Sequence, residues 1–340
     1  MPELSPNLPY DISPLLDLKI ARFRLPFRTE IAGEALDIIP HFRSRLGLIL
    51  KQRFCPHMDF TQIDCEYCDR RMVCCYSLMF TPTCAVIETA GSSRKRCHAD
   101  PPRPYTLNLS LPTRDRPASL VLTLIGEQAI NFSRPMLESL SQASAVPASS
   151  IKTTPSHWQA LLPLKDALGR GLAVTEGSVA PEENRGDFLK NWIRALPDPG
   201  LGKSRSGKDL MELIFTSPVQ DKRLERGIGL SPLLKSIVGR LRDLKRIYHP
   251  DNAMGTLPES FFKSAREVTV FTHLSLKKAT WFSKHRNRPI SLGGFTGEMM
   301  LKGDLSPYIP ILAVGYFLGI GSKTVYGLGR FITDGWNGSE

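Results

Sequence analysis

The stretch Gly319-Ile-Gly-Ser-Lys-Thr-Val-Tyr-Gly-Leu-Gly-Arg-Phe331 sets Gly319, Gly321, Gly327 and Gly329 around two cations, Lys323 and Arg330. Glycine admits backbone conformations and close approaches that side chains forbid, so the N–H groups of such a segment can meet a phosphate chain. It is not the phosphate loop of nucleotide hydrolases, because only one residue separates Gly321 from Lys323. Nor is it a dinucleotide fingerprint, since it follows a helical pattern instead of opening one. On composition alone, a flexible connection between a helix and a last strand fits the same residues.

Working outward, the preceding helix opens at Ser306-Pro307 and repeats Ile309, Leu312, Ala313, Tyr316 and Phe317 at helical spacing. Arg266 to Leu274 alternates as a strand, and Met211 to Thr216 reads as another. Between them, Ser231 as N-cap and Pro232 in the first turn start a helix. Its stripe is Leu233, Leu234, Ile237, Val238, Leu241 and Leu244; Lys235, Arg240, Arg242, Lys245 and Arg246 make the rest basic. The first half offers a strand over Leu15 to Leu25, a helix opened by Pro40 with Phe42, Leu46, Ile49 and Leu50 apolar, and a strand over Ser119 to Ile125. Each half thus suggests strand, helix, strand, strand, helix and strand, the order of a split β-α-β or ferredoxin-like unit. The expected fold is α+β, with two tandem ferredoxin-like (RRM-like) domains. The break Pro197-Asp-Pro-Gly-Leu-Gly-Lys-Ser-Arg-Ser-Gly207 places them at 1–204 and 205–340, although no residue-level repeat links the halves.

Charge is uneven. The chain carries a formal +11, with 21 Lys and Arg against 12 Asp and Glu in residues 201–340, and 23 against 21 before them. An excess confined to one half suits a polyanion-binding surface, since each phosphate contact releases counterions; a generic solvated basic face is the alternative. No apolar run reaches the ~20 residues of a membrane span, and no signal peptide is apparent. A cytoplasmic protein is expected.

Five of the seven cysteines lie between Cys55 and Cys75. In a cytoplasmic chain such clustering points to metal before disulfides. Cys55, Cys65, Cys68 and Cys74 offer four thiols, including one Cys-x2-Cys pair, for a structural zinc ion in an insertion spanning about 54–84. An iron–sulfur cluster and plain reduced cysteines are the other options. His57, inside the cluster, is a further possible ligand.

Three stretches carry a family resemblance: Lys284-His-Arg-Asn-Arg-Pro-Ile-Ser-Leu-Gly-Gly-Phe-Thr-Gly-Glu298, Gly303-Asp-Leu305, and the closing Gly-Ser-Lys-Thr-Val-Tyr-Gly-Leu-Gly-Arg-Phe. Together they closely resemble the C-terminal domain of the CRISPR repeat-processing endoribonucleases of the RAMP superfamily. Phe215-Thr-Ser-Pro218, Leu233-Leu234, Arg240-Leu-Arg-Asp-Leu244 and, in the first half, Leu124-Ile-Gly126 look like that family too. One branch also shows a cysteine cluster ending much like Cys74-Cys-Tyr76-Ser-Leu-Met79-Phe80. The resemblance implies a basic cleft between two domains, CRISPR repeat RNA as partner, and metal-independent cleavage. In that cleavage the ribose 2′-OH attacks its own phosphate and leaves a 2′,3′-cyclic phosphate. Other effector subunits are further partners under this resemblance; neither DNA nor a membrane is expected. A RAMP subunit that holds guide RNA without cutting it shares the same features.

That chemistry wants a base for the 2′-OH, an acid for the leaving oxygen and a cation for the phosphorane. His41, at the second position of the helix that Pro40 opens, is favoured, because a helix start attracts phosphate and keeps imidazole neutral. In the family the catalytic histidine often sits in or beside this helix. Tyr10 and Lys51 are the candidates to complete the set, with no geometry fixed by sequence. Expected RNA contacts are Arg43, Arg45, Lys284, His285, Arg286, Arg288, Gly319, Gly321, Lys323, Gly327, Gly329 and Arg330. His285, in a basic run interleaved with Trp281 and Phe282, is also the rival catalytic residue.

Overall fold

Alternation in β1 (Lys19–Pro26) sends its side chains into two environments: Ala21, Phe23 and Leu25 enter one apolar core, while Ile20 enters another. A strand buried on both faces must be covered on both, and that requirement shapes the molecule. The computed structural model describes residues 12–26, 35–57, 65, 67–82, 86–87, 96–97, 101–110, 118–145, 159–161, 187–197, 199, 201–203, 207, 209–249, 255–283 and 287–336.

The first core is roofed by α1 (Ala35–Phe54) and α3 (Ser133–Ala145); the short α2 (Cys75–Phe80) packs beside them. Beneath lie β2 (Tyr105–Ser110), β3 (Ser119–Ile125), β1 and β4 (Gln159–Leu161). They pair in the order β2-β3-β1-β4, each antiparallel to its neighbour, which is the ferredoxin-like arrangement. The insertion that holds the cysteines lies between α1 and β2.

Past the short α4 (Leu189–Ala195), the second half repeats the plan with β5 (Asp209–Val219), α5 (Leu230–Tyr248), β6 (Thr269–Lys277), β9 (Gly294–Gly303) and α6 (Ile309–Leu318). A separate hairpin, β7 (Thr280–Ser283) with β8 (Arg288–Ser291), is inserted before β9. The sheet order is β6-β9-β5, with Gly202–Lys203 against the start of β5. A last strand after the glycine segment is expected, but one bridge, Ile214 to Ile332, and the bonds Ser217 N–H to Arg330 O and Gly329 N–H to Pro218 O stand in its place. Gly327 and Gly329, at φ +80° and +77°, bend the chain out of extended geometry.

Three local expectations need correction. Helix α1 begins at Ala35, so Pro40 lies inside it and His41 is more than a turn from its start. Pro40 forfeits one helical hydrogen bond. Burial of Leu36, Ile38 and Ile39 outweighs this, at roughly 1.5–3 kcal/mol per side chain. The helix-start argument for His41 therefore falls. The chain before β1 is a helical turn, Ser13–Leu16, because Leu15 and Leu16 are both buried. Helices α5 and α6 start after Gly229 and Tyr308, and neither Ser231 nor Ser306 caps them.

The second core draws on both halves. Ile12, Leu15, Leu16, Leu18, Leu189, Trp192 and Ile193 join the apolar faces of α5 and α6. Arg22, buried on β1, lies with its guanidinium 5.0 Å from the Phe317 ring centre. Lys245 donates to the carbonyl of Pro14, and Tyr248 donates to that of Pro102 at 2.7 Å. No helix among the described residues is long and apolar enough to cross a membrane.

Candidate nucleic-acid interface

The two halves also meet in a small apolar cluster of Leu36 from α1, Leu292 after the hairpin and Leu328 from the glycine segment. A Cβ on Gly327 would lie 2.3 Å from Ile39 Cδ1, so only glycine lets the segment come this close to α1. That contact sets His41 beside the hairpin. Its ring centre is 4.5 Å from that of Trp281, with the planes 80° apart.

Next to this junction opens a cleft of about 930 Å³. Eight of its lining residues are cations: Arg43, Arg103, Lys222, Arg223, Arg226, Arg240, Arg288 and Lys323. Only Asp221, Glu225 and Asp243 oppose them. Such a surplus on a concave surface concentrates polyanions. Several of these charges are fixed in place. The guanidinium of Arg43 lies 4.3 Å from the Tyr326 ring centre and 5.0 Å from that of Phe80. Lys323, itself at φ +59°, donates to Ser291 O at 2.6 Å and pins the glycine segment to the hairpin. Arg240 donates to Leu318 O at 3.0 Å and to Thr324 Oγ1 at 2.6 Å, and burial pulls its pKa down to about 10. Arg240 thus braces the segment from below. Asp221 accepts from Ser236 Oγ and the Arg223 amide, both at 2.6 Å.

Among the expected residues, Arg43, Arg288, Gly321 and Lys323 line the cleft; His41 does not, and stands two residues before Arg43 on the same helix. Others lie elsewhere. Lys51 is ten residues further along α1, about 15 Å by helical rise, buried beside Tyr76 among the cysteines, so it does not join His41. Arg45 reaches back to Ala143 O at 3.4 Å on α3. Arg330 is 6% exposed and packs against Tyr316, with burial lowering its pKa to about 10; it supports the core and does not face the cleft. Seven amides of the glycine segment, at Gly319, Ile320, Ser322, Tyr326, Gly327, Gly329 and Arg330, already donate within the protein. Its glycines therefore serve close packing more than phosphate binding. Tyr10, Lys284, His285 and Arg286 lie outside the described residues. Sequence reasoning missed Arg103, Lys222, Arg223 and Arg226 as cleft residues and Trp281 as the neighbour of His41.

Residues 213–331, which run from β5 through the glycine segment, match the family of CRISPR-associated endoribonuclease Cas6. The likeness to Cas6 is carried by that stretch, about a third of the chain. Residues 18–150 match a second family, described as the AF_1859_N N-terminal domain, and include His41, Arg43 and the cysteines between Cys55 and Cys75. Among solved structures, Thermus thermophilus Cas6 (TTHB231) is 15% identical with a TM-score of 0.43, covering 93% of this chain and 98% of its own. A Cas6 (TTHB231) product complex is 16% identical at TM-score 0.40, covering 93% and 99%. A RAMP protein described as binding different RNA substrates is 11% identical at 0.39, with the same coverage. No curated protein sequence matches. The stretch that matches Cas6 supplies most of the cleft, and the first half adds Arg43, Pro101, Pro102 and Arg103 to its wall.

Away from the stretch that matches Cas6, Cys55, Cys65, Cys68 and Cys74 line one small cavity together with Lys51, Arg70, Arg71 and Tyr76. Cys75 belongs to the apolar core, where burial pushes its thiol up to about 12.

Proposed function

We propose that this chain is an endoribonuclease that binds CRISPR repeat RNA across the cleft and cuts the precursor transcript to give guide RNA. The observation that carries this reading is the packing of a Cas6-like glycine segment on α1, the helix that bears His41 and Arg43, beside a cleft lined by eight cations. In the reaction, the 2′-oxygen of one ribose bonds to the adjacent phosphorus and the bond to the 5′-oxygen breaks. His41 takes the proton of the 2′-OH or returns one to the leaving oxygen, and Arg43 and Lys323 offset charge on the phosphorane. The products are a 2′,3′-cyclic phosphate and a 5′-OH. Atoms balance with neither water nor metal in the step.

The test incubates the protein with repeat RNA in excess EDTA. Cleavage to a cyclic phosphate is expected, and His41→Ala should lower its rate by about 10²–10⁴-fold while RNA affinity holds. Full activity of His41→Ala would remove this histidine from the mechanism. Tight binding with no cleavage under any condition would instead favour a subunit that holds guide RNA. One observation points that way: Lys51 is drawn into the cysteine site, which leaves His41 as the one proposed catalytic residue near Arg43 among those described.

A further inference from the structure

Cysteines that serve only as small apolar side chains are buried with other apolar groups. Cys75 behaves so. The other four do not: Cys55, Cys68 and Cys74 are half-exposed, yet all line the cavity that Cys65 enters. Cys55 follows directly on the end of α1 and Cys74 directly precedes α2, while Cys65 and Cys68 come from the chain between them. Two helix ends and a loop bring four soft donors to one cavity, the donor set of a tetrahedral thiolate site. Among the described residues only His57, Cys68 and Asp69 already hold three donor atoms within 4.8 Å of one another, so a bound ion would draw the other sulfurs inward. Four thiolates around a divalent ion leave a net charge of about −2, and Lys51, Arg70 and Arg71 stand on the same cavity to offset it. Two further groups stand against Cys68. His57 Nε2 lies 3.4 Å from Cys68 Sγ, and Asp69 Oδ1 lies 3.7 Å from the same sulfur. Thiolate ligands are commonly held by such neighbours, which set their direction and donor strength.

We propose that Cys55, Cys65, Cys68 and Cys74 hold one zinc ion that ties the end of α1 to the start of α2, with His57 supporting the Cys68 thiolate. The tie matters beyond its own loop. Helix α1 carries His41 and Arg43, and Phe80 of α2 is one of the two rings that hold the Arg43 guanidinium. Zinc occupancy therefore sets one wall of the cleft from about three turns of helix away.

The experiment needs no RNA, so its outcome is independent of the nuclease reading. Full-length protein purified under reducing conditions should contain one zinc per chain by mass spectrometry. Cobalt exchanged into the site should give the intense visible absorption of a tetrahedral thiolate complex. Cys65→Ser should lose the metal, Cys75→Ser should keep it, and His57→Gln should bind it about 10–100-fold more weakly. Where Cys65→Ser does not fold, native thiol titration of the wild type replaces it: removing zinc should expose four further thiols, and re-adding zinc should protect them. A folded protein with no metal, a brown iron–sulfur chromophore, or a thiol count unchanged by zinc removal would each overturn the proposal.

Discussion

A histidine that moves a proton must hold its ring nitrogen within about 2.6–3.2 Å of the reacting oxygen. The contact between His41 and Trp281 restricts where that ring can point. Under the proposed mechanism, Trp281 is a positioning residue. Trp281→Ala should lower kcat by about 10²-fold with little change in KM, and should shift the pH–rate profile; Trp281→Phe should recover most of the rate. A change in KM alone would make Trp281 an RNA contact instead. None of this was readable from sequence, because the pair meets only through folding of the two halves. Arg22 was hidden for a different reason. An arginine in an alternating strand reads as solvent-facing, whereas here the second face of β1 is covered by α6. Phe42, Leu46, Ile49 and Leu50, by contrast, were legible, since helical spacing on one face needs no tertiary knowledge.

At the scale of elements, the glycine segment is a packing device with a measurable threshold. A Cβ on Gly329 would stand 1.9 Å from Ile320 O at φ +77°, whereas one on Gly207, at φ +74°, meets nothing within 4 Å. Gly207→Ala should therefore cost only the backbone term of about 1–2 kcal/mol. Gly329→Ala adds overpacking of about 1–3 kcal/mol, and thermal unfolding of the two variants should separate them. Equal losses would mean that the segment relaxes freely around the clash. The element boundaries show why sequence misplaced the start of α1: Pro40 is a strong local stop signal, but burial of three apolar side chains upstream overrides it. The last strand was overcalled because the sequence pattern records hydrophobicity at Phe331 and Ile332 but not the left-handed turns just before them.

Across the whole molecule, the charge excess of the second half becomes a concave surface whose binding should depend on salt. For single-stranded RNA the slope of log affinity against log salt is about −0.7 per phosphate neutralised. Arg226→Ala, in the cleft, should flatten the slope by about that amount; Lys263→Ala, outside it, should leave it unchanged. An equal response to both would mean that the basic faces bind without a defined track. The halves themselves share a core in which Ile12, Leu15 and Leu16 pack with Ile311, Leu312 and Phe317. During synthesis at about 5–20 residues per second, residues 12–18 emerge roughly 15–60 s before α6, the last helix of that core. Through that interval the nascent chain displays an apolar segment whose core is still incomplete, so its solubility depends on protection that the finished protein no longer needs.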